Sequence, residues 1–182
     1  MRGRGRAALL ALALLPLPGC GYALVGHGIT TDASIKRIGV PLFRDTTGKT
    51  NLDTMITRKV IEELLRRGRF DVVQENTGVD AIVDGEIVSY TATPVGFEGG
   101  REVAEQNLQS QASRYAVTVT ARVKYMKAGA TEPMWANDSF TFRDEYDVGS
   151  DPSSFIDLEG QALTRLSIAF ARSLVSAMLE AF

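Results

Sequence analysis

Between Arg114 and Tyr125 the sequence alternates almost without a break. Tyr115, Val117, Val119, Ala121, Val123 and Tyr125 form one row, and Arg114, Thr118, Thr120, Arg122 and Lys124 form the other. A period of two marks a β-strand, and one apolar row beside one polar row marks a sheet covered on one face and wet on the other. Such a sheet requires a covering layer, and two helical patterns supply it. Leu52, Met55, Ile56, Val60, Leu64 and Leu65 recur at three- and four-residue steps, with Thr50 or Asn51 placed to cap the start, Asp53 in the first turn and Gly68 after the last. After Asp151-Pro152-Ser153-Ser154 a second stripe runs to the C-terminus through Phe155, Leu158, Ala162, Leu163, Leu166, Ala169, Phe170, Leu174, Ala177 and Met178.

The remaining strands are shorter or less regular. Lys36–Leu42 predicts a strand with Ile38, Val40 and Leu42 on one side, ended or placed at an edge by Pro41. Arg69–Gln74 predicts a second and Asp80–Thr91 a third, with Gly85 marking a bulge in the latter. Pro133–Tyr146 returns from a turn at Ala128–Thr131, and residues 92–112, rich in Gly and polar side chains, read as a long loop. This order predicts an α+β fold: two helices packed on one face of a mixed, mostly antiparallel four- to five-stranded sheet.

The N-terminus has signal-peptide anatomy: Arg2, Arg4 and Arg6, then an apolar run from Ala7 to Leu15, then a Pro/Gly stretch before Cys20. The expected organisation is a leader over 1–19, a Gly- and Thr-rich tether over 20–34, and one domain over 35–182. Cys20 is the only cysteine, which excludes an internal disulfide. Leu17-Pro18-Gly19-Cys20 resembles the bacterial lipobox. That resemblance implies acylation of Cys20, attachment through the acyl chains and, with Gly21 rather than Asp following, sorting to the outer membrane on its periplasmic side.

The formal charge of the whole chain is −2, but without the three leader arginines 17 basic side chains face 22 acidic ones, a formal −5. An acidic balance argues against a nucleic-acid partner. Hydrophobic residues make up 45% of the chain, which excludes disorder, and no segment after Cys20 offers the ~18 consecutive apolar residues of a spanning helix. The charge is unevenly spread: residues 35–69 carry nine basic and four acidic side chains, whereas 70–182 carry eight and seventeen. Such a split can orient a domain inside a barrel or toward phosphorylated lipid, although part of it is the wet face of the first helix.

No catalytic, metal or cofactor site is assigned. His27, the only histidine, lies in the tether without packing to orient an imidazole. Asp84, Glu86, Asp144, Glu145 and Asp147 read as solvated strand faces and edge protection. Thr46-Thr47-Gly48-Lys49-Thr50 lacks the upstream glycine of a phosphate loop, since Phe43 stands at that spacing.

Several stretches together resemble the LptE lipoproteins: Cys20-Gly21-Tyr22-Ala23-Leu24, Ile38-Gly39-Val40-Pro41-Leu42-Phe43 with Thr46-Thr47-Gly48, helix 52–67 running into Gly68-Arg69-Phe70-Asp71-Val72-Val73, and Asp80–Ile87 followed by Tyr90 and Thr93-Pro94-Val95. The resemblance implies a non-enzymatic outer-membrane lipoprotein that plugs the large β-barrel LptD, helps assemble it and assists lipopolysaccharide delivery to the outer leaflet. Arg114, Arg122 and Lys124 share the open sheet face and are candidate contacts to lipopolysaccharide phosphates, because arginine binds such oxygens in bidentate fashion. The Ile-x-Val-x-x-Phe strand and Thr-Gly turn also resemble lipoproteins of the curli-secretion or synthase-activator type, which implies an oligomeric or regulatory binding module as the alternative. A third reading, a periplasmic hydrolase, would need a pocket of convergent polar groups.

Overall fold

Ile38 and, one residue past the end of its strand, Val40 are both fully buried. That strand, β1 (Arg37–Gly39), lies between β3 (Asp71–Val73) and β4 (Ala81–Glu98) and runs parallel to both. Parallel neighbours need a crossover rather than a tight turn; α1 (Leu52–Arg66) lies in the connection from β1 to β3. A two-residue strand, β2 (Arg44–Asp45), pairs in parallel with β4 further along. The chain then doubles back twice, as β5 (Gln111–Lys127) against β4 and β6 (Trp135–Asp147) against β5, both antiparallel. The path is β3-β1-β4-β5-β6, with β2 beside β4, and α2 (Phe155–Glu180) follows. The computed structural model describes residues 34–98, 111–148 and 155–180; Cys20 and His27 lie outside them.

The expected α+β architecture is present, with two helices on a mixed sheet. The differences are local and have physical causes. β4 and β5 extend into both ends of the 92–112 segment read as a loop, over 92–98 and 111–112, so that Glu98 still pairs with Gln111, and 99–110 lie outside the described residues. The irregularity that hid this is a set of bulges, between Ile87 and Ser89 and around Gly96. One extra residue reverses the parity of a strand: Val83, Gly85 and Ile87 share a face with Tyr90, Ala92 and Pro94, as their pairing with Tyr125, Val123, Ala121, Val119, Val117 and Tyr115 requires. Gly85 itself is not the bulge. A β-carbon there would overlap the Phe43 ring, and glycine is the residue that lets the ring lie against the strand.

Phe43 is also where the first strand departs from simple alternation. Beyond Pro41, Leu42 turns outward at 59% exposure and Phe43 turns in at 1%. Its backbone N–H donates to the buried Thr57 hydroxyl at 3.0 Å, and that hydroxyl donates to the Asp53 carbonyl at 2.7 Å. A group that would otherwise be an orphan donor is therefore satisfied by a polar residue on α1. At the start of α1, Asn51 takes a left-handed conformation (φ 62°) and makes no side-chain cap, contrary to the expectation from its residue type. The order there comes instead from Asp45, whose carboxylate accepts the Thr47 N–H and hydroxyl, both at 2.7 Å. Gly68, with φ 67°, ends the helix as its position predicts.

Leu52, Ile56, Val60 and Leu64 of α1 and Leu166, Phe170, Leu174 and Met178 of α2 pack with Val83, Ile87, Val119, Ala121, Val123 and Tyr125 of the sheet. Each of the larger ones, the Val, Leu, Ile, Phe and Met side chains, contributes roughly 1.5–3 kcal/mol when fully buried. Phe170 meets Phe140 and Phe142 with ring centroids 5.1 and 5.6 Å apart. Among the described helices, α2 is the one long and apolar enough to cross a membrane, yet its stripe lies in this core. Leu65, expected on the apolar face of α1, is 51% exposed.

Candidate binding face

The cross-strand register decides which side chains share the open face of the sheet. Asp84 stands opposite Lys124, Glu86 opposite Arg122, Ser89 opposite Thr120 and Thr91 opposite Thr118; the row continues on β6 with Thr141, Arg143, Glu145 and Asp147. The candidate residues Arg114, Arg122 and Lys124 are all on it, as the alternation predicts. They are not equivalent. The Arg122 guanidinium reaches Glu86 at 3.0 Å and Asp138 at 3.4 Å, and Glu86 also meets Arg44 of β2 at 3.5 Å. Arg114 is held by Asp147 at 2.6 Å, with Glu145 at 4.0 Å, and this pairing raises its already high pKa. Lys124 has no ion pair among the described residues.

The face therefore carries two ion-pair clusters, at Arg114 and Arg122, eight residues apart along β5, separated by a band of hydroxyls from Ser89, Thr91, Thr118, Thr120 and Thr141, in which Thr120 and Thr141 are 3.0 Å apart. The distal cluster borders an open hollow of about 540 Å³ lined by Val95, Phe97, Arg114, Arg143, Glu145 and Asp147, among others. Val95 and Phe97 are 42% and 58% exposed there. This hollow was not visible in the sequence, because the segment that builds it reads as loop. It combines apolar side chains with two guanidinium groups, Arg114 and Arg143, each paired with a carboxylate of the same lining, Asp147 and Glu145, so that an anionic group bound there must displace a carboxylate.

On the covered face, the start of α2 is fastened to β4 by a polar clasp. The Tyr90 hydroxyl donates to Glu159, Lys49 Nζ donates to the other carboxylate oxygen at 2.9 Å, and the ammonium lies 5.0 Å from the Tyr90 ring centroid. Burial pushes the Glu159 pKa up, but the hydrogen bonds from Tyr90 and Lys49 outweigh it and the carboxyl ends below its usual value. Burial, followed by the bond to Glu159, drives the Tyr90 phenol far upward. Nearby Tyr146 is pushed up to about 12, by burial first and then by the charge of Glu159. Among the described residues there is no cluster of three or more His, Cys, Asp or Glu side chains able to hold a metal ion.

Residues 35–178 match the model of the LptE family, described as lipopolysaccharide-assembly. No curated protein is significantly similar. Among solved structures, a Xanthomonas campestris protein superposes with TM-score 0.55 at 12% identity, covering 81% of this chain and 85% of its own. A lipoprotein described from Caulobacter crescentus gives 0.52 at 8% identity, covering 79% and 88%. A Chlamydia trachomatis protein gives 0.51 at 10%, covering 80% and 99%. At these identities the likeness is one of fold.

Proposed function

The chain belongs to the LptE lipopolysaccharide-assembly family, and from that membership we propose that it is an outer-membrane lipoprotein, acylated at Cys20, that occupies an LptD-type β-barrel, helps it assemble and assists lipopolysaccharide insertion into the outer leaflet. The observation that carries this reading is the family match over residues 35–178, which takes in every described element of the sheet and nearly all of α2. The activity needs no bond-making residue, only surfaces. The open face supports it with hydroxyls and guanidinium groups suited to sugar and phosphate oxygens. Of the three candidate basic residues, Lys124 is available as it stands, whereas Arg114 and Arg122 must exchange a carboxylate for a phosphate.

Detergent extraction of the tagged full chain from its own membrane tests the proposal. A large β-barrel should co-purify, and depletion should reduce surface lipopolysaccharide. Normal surface lipopolysaccharide after depletion overturns the reading, and a large homo-oligomeric ring on gel filtration favours the synthase-activator type of module. Replacing Cys20 by Ser should release the protein from the membrane, and palmitate labelling of that variant would count against acylation at Cys20.

A further inference from the structure

The outer surface of the helix layer differs from the open sheet face in how its charges are spent. Arg58, Glu62 and Leu65 recur at four- and three-residue steps and lie along one line of α1. Beside them runs a groove of about 210 Å³ between the helices, bordered by Lys59, Glu63, Arg66, Ile168 and Arg172. The acids here are already engaged: Glu62 accepts from Lys59 at 2.7 Å, and the buried Glu63 lies between Arg66 and Arg67, the latter at 3.3 Å. Arg58, Arg172 and, just past the end of α1, Arg69 are exposed and have no carboxylate partner among the described residues.

Guanidinium groups without a carboxylate partner, on a surface that also exposes Leu65, are what a protein interface uses, where arginine is enriched and its planar fork meets carboxylates in pairs. A lipid surface fits less well. An interfacial helix inserts a wide apolar face, and that of α1, Leu52, Ile56, Val60 and Leu64, is committed to the core. We propose that the outer surface of the helix layer, with Arg58 and Leu65 on α1, Arg69 just past its end and Arg172 on α2 across the groove, docks against a carboxylate-bearing protein surface, which, resting on the function proposed above, is a strip of the barrel's inner wall. The helix layer then faces the wall, leaving the open sheet face for the transported lipid.

The experiment compares the tagged full chain with its Arg58→Glu/Arg69→Glu/Arg172→Glu variant in membrane extracts, quantifying the co-purified barrel across a salt series. The variant should recover the barrel about tenfold less well or worse, wild-type recovery should fall with salt, and a Leu65→Asp variant should lose recovery as well. A neutral set, Arg→Gln at the same three positions, should fall between and serves if the reversed variant does not fold; thermal melting of each isolated protein checks this. Wild-type recovery by the reversed or neutral set overturns the inference while leaving the proposed function intact. Failure of the wild type to recover any barrel overturns both. Loss of binding to anionic phospholipid vesicles with barrel recovery unchanged overturns the inference in favour of a membrane surface.

Discussion

The β4–β5 ladder is continuous, yet its two halves belong to different kinds of structure. From Ala81 to Ile87, opposite Ala121 to Lys127, the inward residues Ala81, Val83, Ile87, Ala121, Val123 and Tyr125 are buried under the helices. From Thr91 to Phe97 almost every β4 side chain is exposed, whichever way it points. β4 has eighteen residues, roughly 60 Å at the usual rise per residue. β4 thus serves as core at one end and as an exposed edge at the other, while its partner β5 stays buried at Ala116 and Val117. The lesson is that hydrogen-bonded register carries a strand beyond the point where its own side chains are buried.

The largest effect expected from breaking this contrast is at the covered end. Phe43→Ala removes the ring that lies against Gly85 and should destabilise the domain by about 3–5 kcal/mol in denaturant unfolding. A value under ~1 kcal/mol would mean that the covered end is no better packed than the distal one. Gly85→Ala should cost about 1–3 kcal/mol by overpacking against the same ring. In the Phe43→Ala background most of that cost should vanish, because the two residues share one contact. Additive effects in that double-mutant cycle would place the strain elsewhere.

The clasp at Lys49, Tyr90 and Glu159 joins the two halves, and its sign with pH is fixed. The folded-state pKa of Glu159 is lowered, so its contribution is present above the unfolded value near 4.5 and is lost as pH falls through the folded value. The phenols of Tyr90 and Tyr146 are raised, so their contribution is full below about pH 10 and is lost as pH rises through their folded values, about 12 for Tyr146. Glu159→Gln should flatten the acid limb of a stability profile, and Tyr146→Phe should shift the alkaline limb upward. An unchanged acid limb in Glu159→Gln would show that the clasp does not couple to folding, and an unchanged alkaline limb in Tyr146→Phe that the neighbouring phenol does not.

What was legible in the sequence follows the same division. The row from Tyr115 to Tyr125, the α1 stripe and the Gly68 stop could be read because burial selects side chains with a strict period. Leu65 and Leu42 misled, since apolar type alone does not report which face a helix position or a residue beyond a proline takes. The distal strands were read as loop because their polar, Gly- and Pro-containing residues carry no burial signal, and the bulge beyond Ile87 reverses the parity midway. The basic residues of the open face were placed correctly by alternation. Their ion pairs with β4 and β6 were not, because cross-strand register is a long-range property that no local pattern contains.

The smallest expected effect is also the most discriminating. Val95 and Phe97 line the distal hollow and are largely exposed, so Phe97→Ser should alter unfolding stability by no more than about 0.5 kcal/mol, the usual range for surface changes. If the exposed end of β4 exists for ligand or partner contact, the same substitution should nevertheless impair surface lipopolysaccharide when introduced in the cell. A destabilisation above ~1 kcal/mol would show that Phe97 belongs to the packed part of the fold. With no change in stability, normal surface lipopolysaccharide would show that the exposed ring is dispensable and would shift the working surface toward the hydroxyl band between the two ion-pair clusters.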